Sequence, residues 1–147
     1  EVLGAFELGE LDLLLFDLPP GAERTVQYAD FLDPRTAYLL VTIPSEVSRG
    51  VVARSVAALA RGSHRVLGYV ENMSGYYCRD CQAVKPLFPS SDRSGLDIPC
   101  LGSVPFDPEL ARLCDSGVPL AGMPETPVSR ALDHVAQQLL DTLESPQ

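Results

Sequence analysis

The chain has 147 residues, 46% of them apolar, with 20 acidic against 11 basic side chains and a formal charge of −9. That length suits one domain spanning 1–147 with a core of its own, roughly two thirds of the unfolded surface leaving water on folding. The charge repels phosphate backbones and the arginines form no basic run, which argues against nucleic acid. Apolar runs such as Leu11 to Leu18 fall far short of the roughly 20 residues that span a bilayer, which argues against a membrane partner.

The first expected element is Leu11-Asp12-Leu13-Leu14-Leu15-Phe16-Asp17, an almost unbroken apolar run ending in an acid, as in a central parallel strand covered on both faces. It breaks at Leu18-Pro19-Pro20-Gly21. A second strand, Thr36 to Ile43, stops at Pro44, and a helix follows with Ser45 as N-cap and Gly62 as its C-terminal cap. Val47, Val51, Val52, Val56 and Leu59 make one apolar stripe along that helix.

The third strand runs from Arg65 to Glu71 and opens at Asn72 into a Gly/Tyr loop holding Cys78 and Cys81. Glycines and serines in this stretch (Gly75, Ser90, Ser91, Ser94, Gly95) predict mobility, and Gln82 to Pro86 reads as loop. A fourth strand, Ile98 to Val104, ends at Pro105. Asp107 and Pro108 then fit the N-cap and first turn of a helix that carries Leu110, Leu113 and Cys114 inward and stops at Gly117. The last helix starts near Thr126-Pro127 and buries Val128, Leu132, Val135, Leu139 and Leu143, leaving Ser145 to Gln147 as a frayed end.

Strands alternating with helices predict an α/β fold built on an open, mostly parallel sheet. Ligands on such sheets sit at the carboxyl ends of the strands. Asp17, Pro44, Asn72, Pro105 and the cysteine loop all fall at those ends.

Cys78 and Cys81 stand at the separation that lets two thiolates reach one metal centre. They are half a site: a closed tetrahedral centre takes four protein ligands, and no second CxxC and no histidine beside the first is present. A second copy of the chain across a two-fold axis is the economical source of the rest, so metal binding and homodimerisation would be one event. A structural zinc clip and a shared iron–sulfur cluster both fit this spacing. A thioredoxin-like dithiol would need the first thiol at a helix N-terminus, whereas loop follows it. Tyr76, Tyr77 and Phe88 would give the centre an apolar shell. Four cysteines in a chain this long make no secreted disulfide framework, and CxxC in a reducing compartment points to metal or redox work. With no basic-then-apolar leader before the first strand, a cytoplasmic location is expected.

Three further signals each have a plain structural counterpart. Leu13 to Asp17 followed by Leu18-Pro19-Pro20-Gly21 reads as a Walker B strand with its switch turn, where Asp17 can hold Mg²⁺ through water and Gly21 lets backbone N–H approach a terminal phosphate. It reads equally as an acidic strand end before a Pro-Pro turn. Asn72 can present a donor and an acceptor to adenine, or bond its own backbone. Cys100 and Cys114 are expected as small core residues, and neither His64 nor His134 has an evident partner for acid–base work.

Taken together, Leu13 to Gly21, Gly68-Tyr69-Val70-Glu71-Asn72-Met73-Ser74, Cys78-Arg79-Asp80-Cys81, Pro99 to Asp107 and Asp115-Ser116-Gly117-Val118-Pro119 resemble the Mrp/ApbC family of deviant-Walker P-loop ATPases that carry iron–sulfur clusters. The resemblance implies a P-loop NTPase-type sheet whose C-terminal portion this chain matches, with a metal-binding loop at about 73–97. It implies that Cys78 and Cys81 bind a 4Fe–4S cluster between two subunits, that Asp17 is the catalytic magnesium acid and Gly21 the switch glycine, and that Asn72 and Pro105 meet the adenine. It implies transfer of the cluster to apo iron–sulfur clients.

The departures are equally specific. The chain contains no Gly-Lys-Ser/Thr, its one lysine being Lys85 between Val84 and Pro86, so the Walker A unit is lacking and ATP and Mg²⁺ binding is expected only if an upstream P-loop is supplied. Ala22-Glu23-Arg24 follows Gly21, and Pro44-Ser45 stands where the family has Pro-Gln. Both lie where a γ-phosphate would be sensed.

Overall fold

The computed structural model describes residues 9–19, 21–32, 35–88, 96–119, 122 and 125–145. Four helices and four strands follow in the order α1 (Ala22–Phe31), β1 (Ala37–Thr42), α2 (Glu46–Arg61), β2 (Arg65–Cys78), β3 (Ala83–Lys85), β4 (Cys100–Phe106), α3 (Pro108–Asp115) and α4 (Pro127–Glu144). The fold is α/β with an open, mostly parallel sheet, as the alternation of elements predicts.

β2 is the axis of the sheet. It pairs in parallel with β1 from Ala37↔Arg65 to Thr42↔Glu71 and with β4 from Tyr69↔Cys100 to Tyr76↔Phe106. Its last turn of pleat pairs antiparallel with β3, and Tyr76 lies opposite both Lys85 and Phe106, so β3 and β4 flank it on opposite sides. β3 therefore continues the side of β2 that β1 leaves at Glu71.

Side chains alternate across this sheet and build a core on each face. On one face Leu67, Val70, Leu101 and Val104 meet Val128 of α4, with Leu132, Val135, Leu139 and Leu143 alongside. On the other, Tyr38 packs with Leu59 of α2 and Ala29 of α1, joined by Leu18, Leu40 and Val66. At Gly102 a Cβ would stand 2.5 Å from Val135 Cγ2, so the missing side chain is what lets α4 lie this close to β4. Arg65, at the start of β2, donates to the carbonyls of Thr142 at 2.8 Å and Ser145 at 3.2 Å, placing a cation against the negative C-terminus of α4.

The caps read from sequence are present. Ser45 accepts from Ser48 N–H, Asp107 accepts from Glu109 N–H, and Thr126 forms a reciprocal capping box with Ser129. Gly62 follows α2, and Gly117, with φ +74, follows α3.

Several expectations are corrected. The run Leu11–Asp17 is no strand: it has no ladder partner among the described residues and its side chains are exposed, Leu15 at 75%. A strand covered on both faces requires neighbours to hydrogen-bond its backbone, and apolar composition alone does not supply them. Helix α1, after Gly21, adds to the elements expected from sequence. The buried stripe of α2 is Val52, Ser55, Ala58 and Leu59, whereas Val47 is 82% exposed and Val51 also faces outward, because the sheet and α1 cover only one side of the helix. β2 continues past Asn72 as far as Cys78, and Ala83–Lys85 is a strand instead of a loop. β4 begins at Cys100 and runs through Pro105, which fits a strand paired on one side only among the described residues. Cys100 and Cys114 are exposed, the first opening an edge strand and the second on the outer side of a helix that buries no residue fully. The mobility expected of Ser90, Ser91, Ser94 and Gly95, and the fraying of Pro146 and Gln147, concern positions outside the described residues. Among the described residues no helix is long and apolar enough to cross a membrane.

Candidate functional site

The thiol pair sits at the tip of a hairpin. β2 ends at Cys78, whose ladder partner is Ala83, and the connecting turn holds Arg79, Asp80, Cys81 and Gln82. Gln82 takes up a left-handed φ of 53, closing the turn. Gly75 admits β3: a Cβ there would meet Val84 Cγ1 at 2.5 Å and the Lys85 carbonyl at 2.8 Å. The backbone N–H and thiol of Cys81, then the N–H of Asp80, face the Cys78 sulfur and hold its thiol below the usual range, which favours the thiolate a metal requires. Cys81 is exposed and Cys78 half-buried.

Two thiolates are the whole soft donor set of this turn. Among the described residues no group of three or more His, Cys, Asp or Glu side chains could close around a metal ion. The pair suits iron or zinc, and further ligands must come from outside this hairpin.

Arg79, between the cysteines, ties the turn to the rest of the fold. Its Nη2 donates to Asp107 Oδ2 at 2.9 Å and its Nε to Oδ1 at 3.4 Å, while Oδ1 also accepts from Glu109 N–H at 2.9 Å. Asp107 is 2% exposed. Burial pushes its carboxyl up, but the Arg79 guanidinium and the N–H groups of Glu109 and Leu110 outweigh that and leave it below the usual aspartate range. Sequence reading finds Asp107 as a helix cap and misses this ion pair, since 28 positions separate the partners. The one hint is a cation flanked by two thiols. Glu109 is held by Arg112 through contacts of 2.7 and 2.9 Å.

The carboxyl rim of the sheet carries a second group of polar residues. Thr42 lies opposite Glu71 and Asn72 opposite Val104, so Thr42, Asn72 and Pro105 stand along one edge. Asn72 Oδ1 accepts from the N–H of Met73 at 2.8 Å, the local bond that its position after an expected strand foreshadowed. Glu71 of β2, 4% exposed, accepts from Arg49 of α2 at 3.1 Å. Thr42 shares a 2.9 Å hydrogen bond with Ser48 of α2.

Gly21, with φ +119, precedes α1, and its carbonyl accepts from both the N–H and the hydroxyl of Thr25. Only glycine takes that φ without strain. Asp17 is exposed on the unpaired run before it. The structure thus brings Cys78 and Cys81 into one turn and Asn72 and Pro105 to one rim. His64, in contrast to the expectation, has partners: Nε2 lies 3.4 Å from Asp30 Oδ1, and the ring meets Tyr38 edge to face at 5.9 Å.

Comparison with known proteins adds a family. Residues 1–140 match the model described as NUBPL iron-transfer P-loop NTPase. An iron-sulfur cluster carrier protein of Saccharolobus solfataricus is 34% identical over all of this chain and 52% of its own length. The cytosolic Fe-S cluster assembly factor NUBP2 of Bos taurus is 38% identical over 90% of this chain and 52% of its own. The chain spans about half the length of the curated relatives it matches. Among solved structures, a nucleotide-binding protein of Archaeoglobus fulgidus in complex with ADP superposes with a TM-score of 0.61 at 32% identity, over 75% of this chain and 47% of that one. The cell division ATPase MinD of Pyrococcus furiosus, at 22% identity, shares the fold with a TM-score of 0.57 over 71% of this chain and 42% of that one.

Proposed function

From the premise that this chain belongs to the family of NUBPL iron-transfer P-loop NTPases, we propose that it carries an iron–sulfur cluster and passes it to apo iron–sulfur proteins. The cargo is a 4Fe–4S cluster held between two copies of the chain, each giving Cys78 and Cys81. The observation that carries this reading is the hairpin tip: two thiols on one turn, the first held toward its thiolate, with no further ligand set around them among the described residues. Exposure suits a cargo that must leave, because a ligand exchange needs the client's thiols to reach the iron.

The nucleotide face is incomplete in this chain. Asp17 is the catalytic magnesium acid and Gly21 the backbone donor toward a terminal phosphate, with Asn72 and Pro105 against the base. ATP and Mg²⁺ bind usefully only when a phosphate loop joins them, since no Gly-Lys-Ser/Thr is present here. The Archaeoglobus fulgidus protein in complex with ADP supports a nucleotide as a ligand of this family's fold. The relatives named as cytosolic assembly factors support a cytosolic site of action.

Single Cys78→Ser and Cys81→Ser variants, reconstituted anaerobically with iron and sulfide, test the reading. The unaltered chain should gain visible absorption near about 400 nm from thiolate-to-iron charge transfer, and each variant should stay colourless. Variants that colour normally contradict it. An unaltered chain that takes up zinc indifferent to air points instead to a zinc-clipped interaction module without carrier activity.

A further inference from the structure

We infer that Asp107 is the positioning residue of the thiol pair, acting through Arg79. This rests on reading the Cys78–Cys81 turn as the cluster site, and it names what holds that turn in a binding geometry.

Arg79 is the first residue of the turn, and its guanidinium is gripped at two nitrogens by one carboxylate. That carboxylate is itself anchored in the fold. It is shielded from water, lies immediately after β4, and accepts the N–H of Glu109 in the first turn of α3. The turn is therefore fastened to the junction of a strand and a helix. Glu109, whose charge also acts on Arg79, makes its hydrogen bonds to Arg112 instead.

The tether matters because the hairpin has little else. β3 is three residues long and exposed along its length. So short a ribbon is marginal by itself, and a turn left free would have to be ordered when a metal binds, at the expense of affinity. Holding Arg79 removes that ordering step. Because Pro105 of β4 lies two residues before Asp107 in the chain, the clamp also joins the rim of the sheet to the thiols through one ion pair.

Asp107→Asn keeps a side chain competent to cap α3 while removing the charge, and Arg79→Gln removes the same bond from the other end without touching the cap. Two readouts are taken on the full chain: the rate at which a chelator strips iron from the reconstituted protein, and hydrogen exchange of the amides of 79–82 without metal. Each variant should lose iron about 10-fold faster, the scale on which partners of metal ligands act, and should exchange faster across 79–82. The double variant should be no worse than either single one, because both remove one interaction. Unchanged exchange and iron loss in Arg79→Gln, or effects that add in the double variant, would overturn the inference. Should the unaltered chain take up no cluster, the reading of the site falls, and exchange at 79–82 alone decides whether the clamp exists.

Discussion

Cys78 and Ala83 face each other as the closing pair of an antiparallel ladder, so one thiol ends the central strand and the other, Cys81, sits within the turn that the pair closes. A metal bound there reports directly on the sheet. β2 carries that connection, reaching from the C-terminal carbonyls of α4 at Arg65 to the first thiol at Cys78.

The hairpin depends on the absence of one side chain. Gly75→Ala sets a Cβ against Val84 Cγ1 and the Lys85 carbonyl, and the backbone contact cannot swing aside. Over-packing of this kind costs about 1–3 kcal/mol. We expect a lower denaturation midpoint together with faster alkylation of Cys78 and Cys81, and an unchanged alkylation rate would show that β3 does not order the thiols.

Burial, not apolar character, sets which residues of α2 matter. Leu59→Ala should destabilise the chain by about 2–5 kcal/mol, since Leu59 has no exposed surface. Val47→Ala, at 82% exposure, should fall within about 0.5 kcal/mol of the parent. Urea denaturation of the two variants checks the rotation of the helix, and equal losses would contradict it.

Asp107 makes an acid-sensitive contribution. Its carboxyl lies below the usual range in the folded chain, so the unfolded chain takes up the proton first as pH falls. The contribution is complete above the ordinary aspartate value of about 3.9 and is lost as pH drops through the lower folded value. Asp107→Asn should therefore cost about 1–3 kcal/mol near neutral pH, toward the low end because the Arg79 half of the pair is partly solvated. The gap between parent and variant should narrow as the solution is acidified, and denaturation midpoints across that range measure it. A gap that widens in acid would refute the assignment.

What the sequence discloses here is what is local. The caps Ser45, Asp107 and Thr126 and the apolar period of α4 act within a turn or two, and each is found where the residues place it, whereas the buried side of α2 leaves out Val47 and Val51. The CxxC is local as well. What depends on distant partners is less visible: Leu11–Asp17 has the composition of an inner strand without strands beside it, and β3 exists because Gly75 makes room for it. Helix α1 opens at a glycine with positive φ and buries only Ala29 fully among its described side chains, so its apolar pattern is faint. The Arg79–Asp107 pair joins two loops that no periodicity connects.

Native mass spectrometry of the anaerobically reconstituted chain, read together with its iron and zinc content, addresses the shared-cluster claim most directly. A cluster shared between two thiol pairs requires a species of two chains with about four irons, separating into single chains once a chelator removes the metal. A pair of chains that survives complete loss of iron, or single chains each retaining a metal of their own, would contradict it.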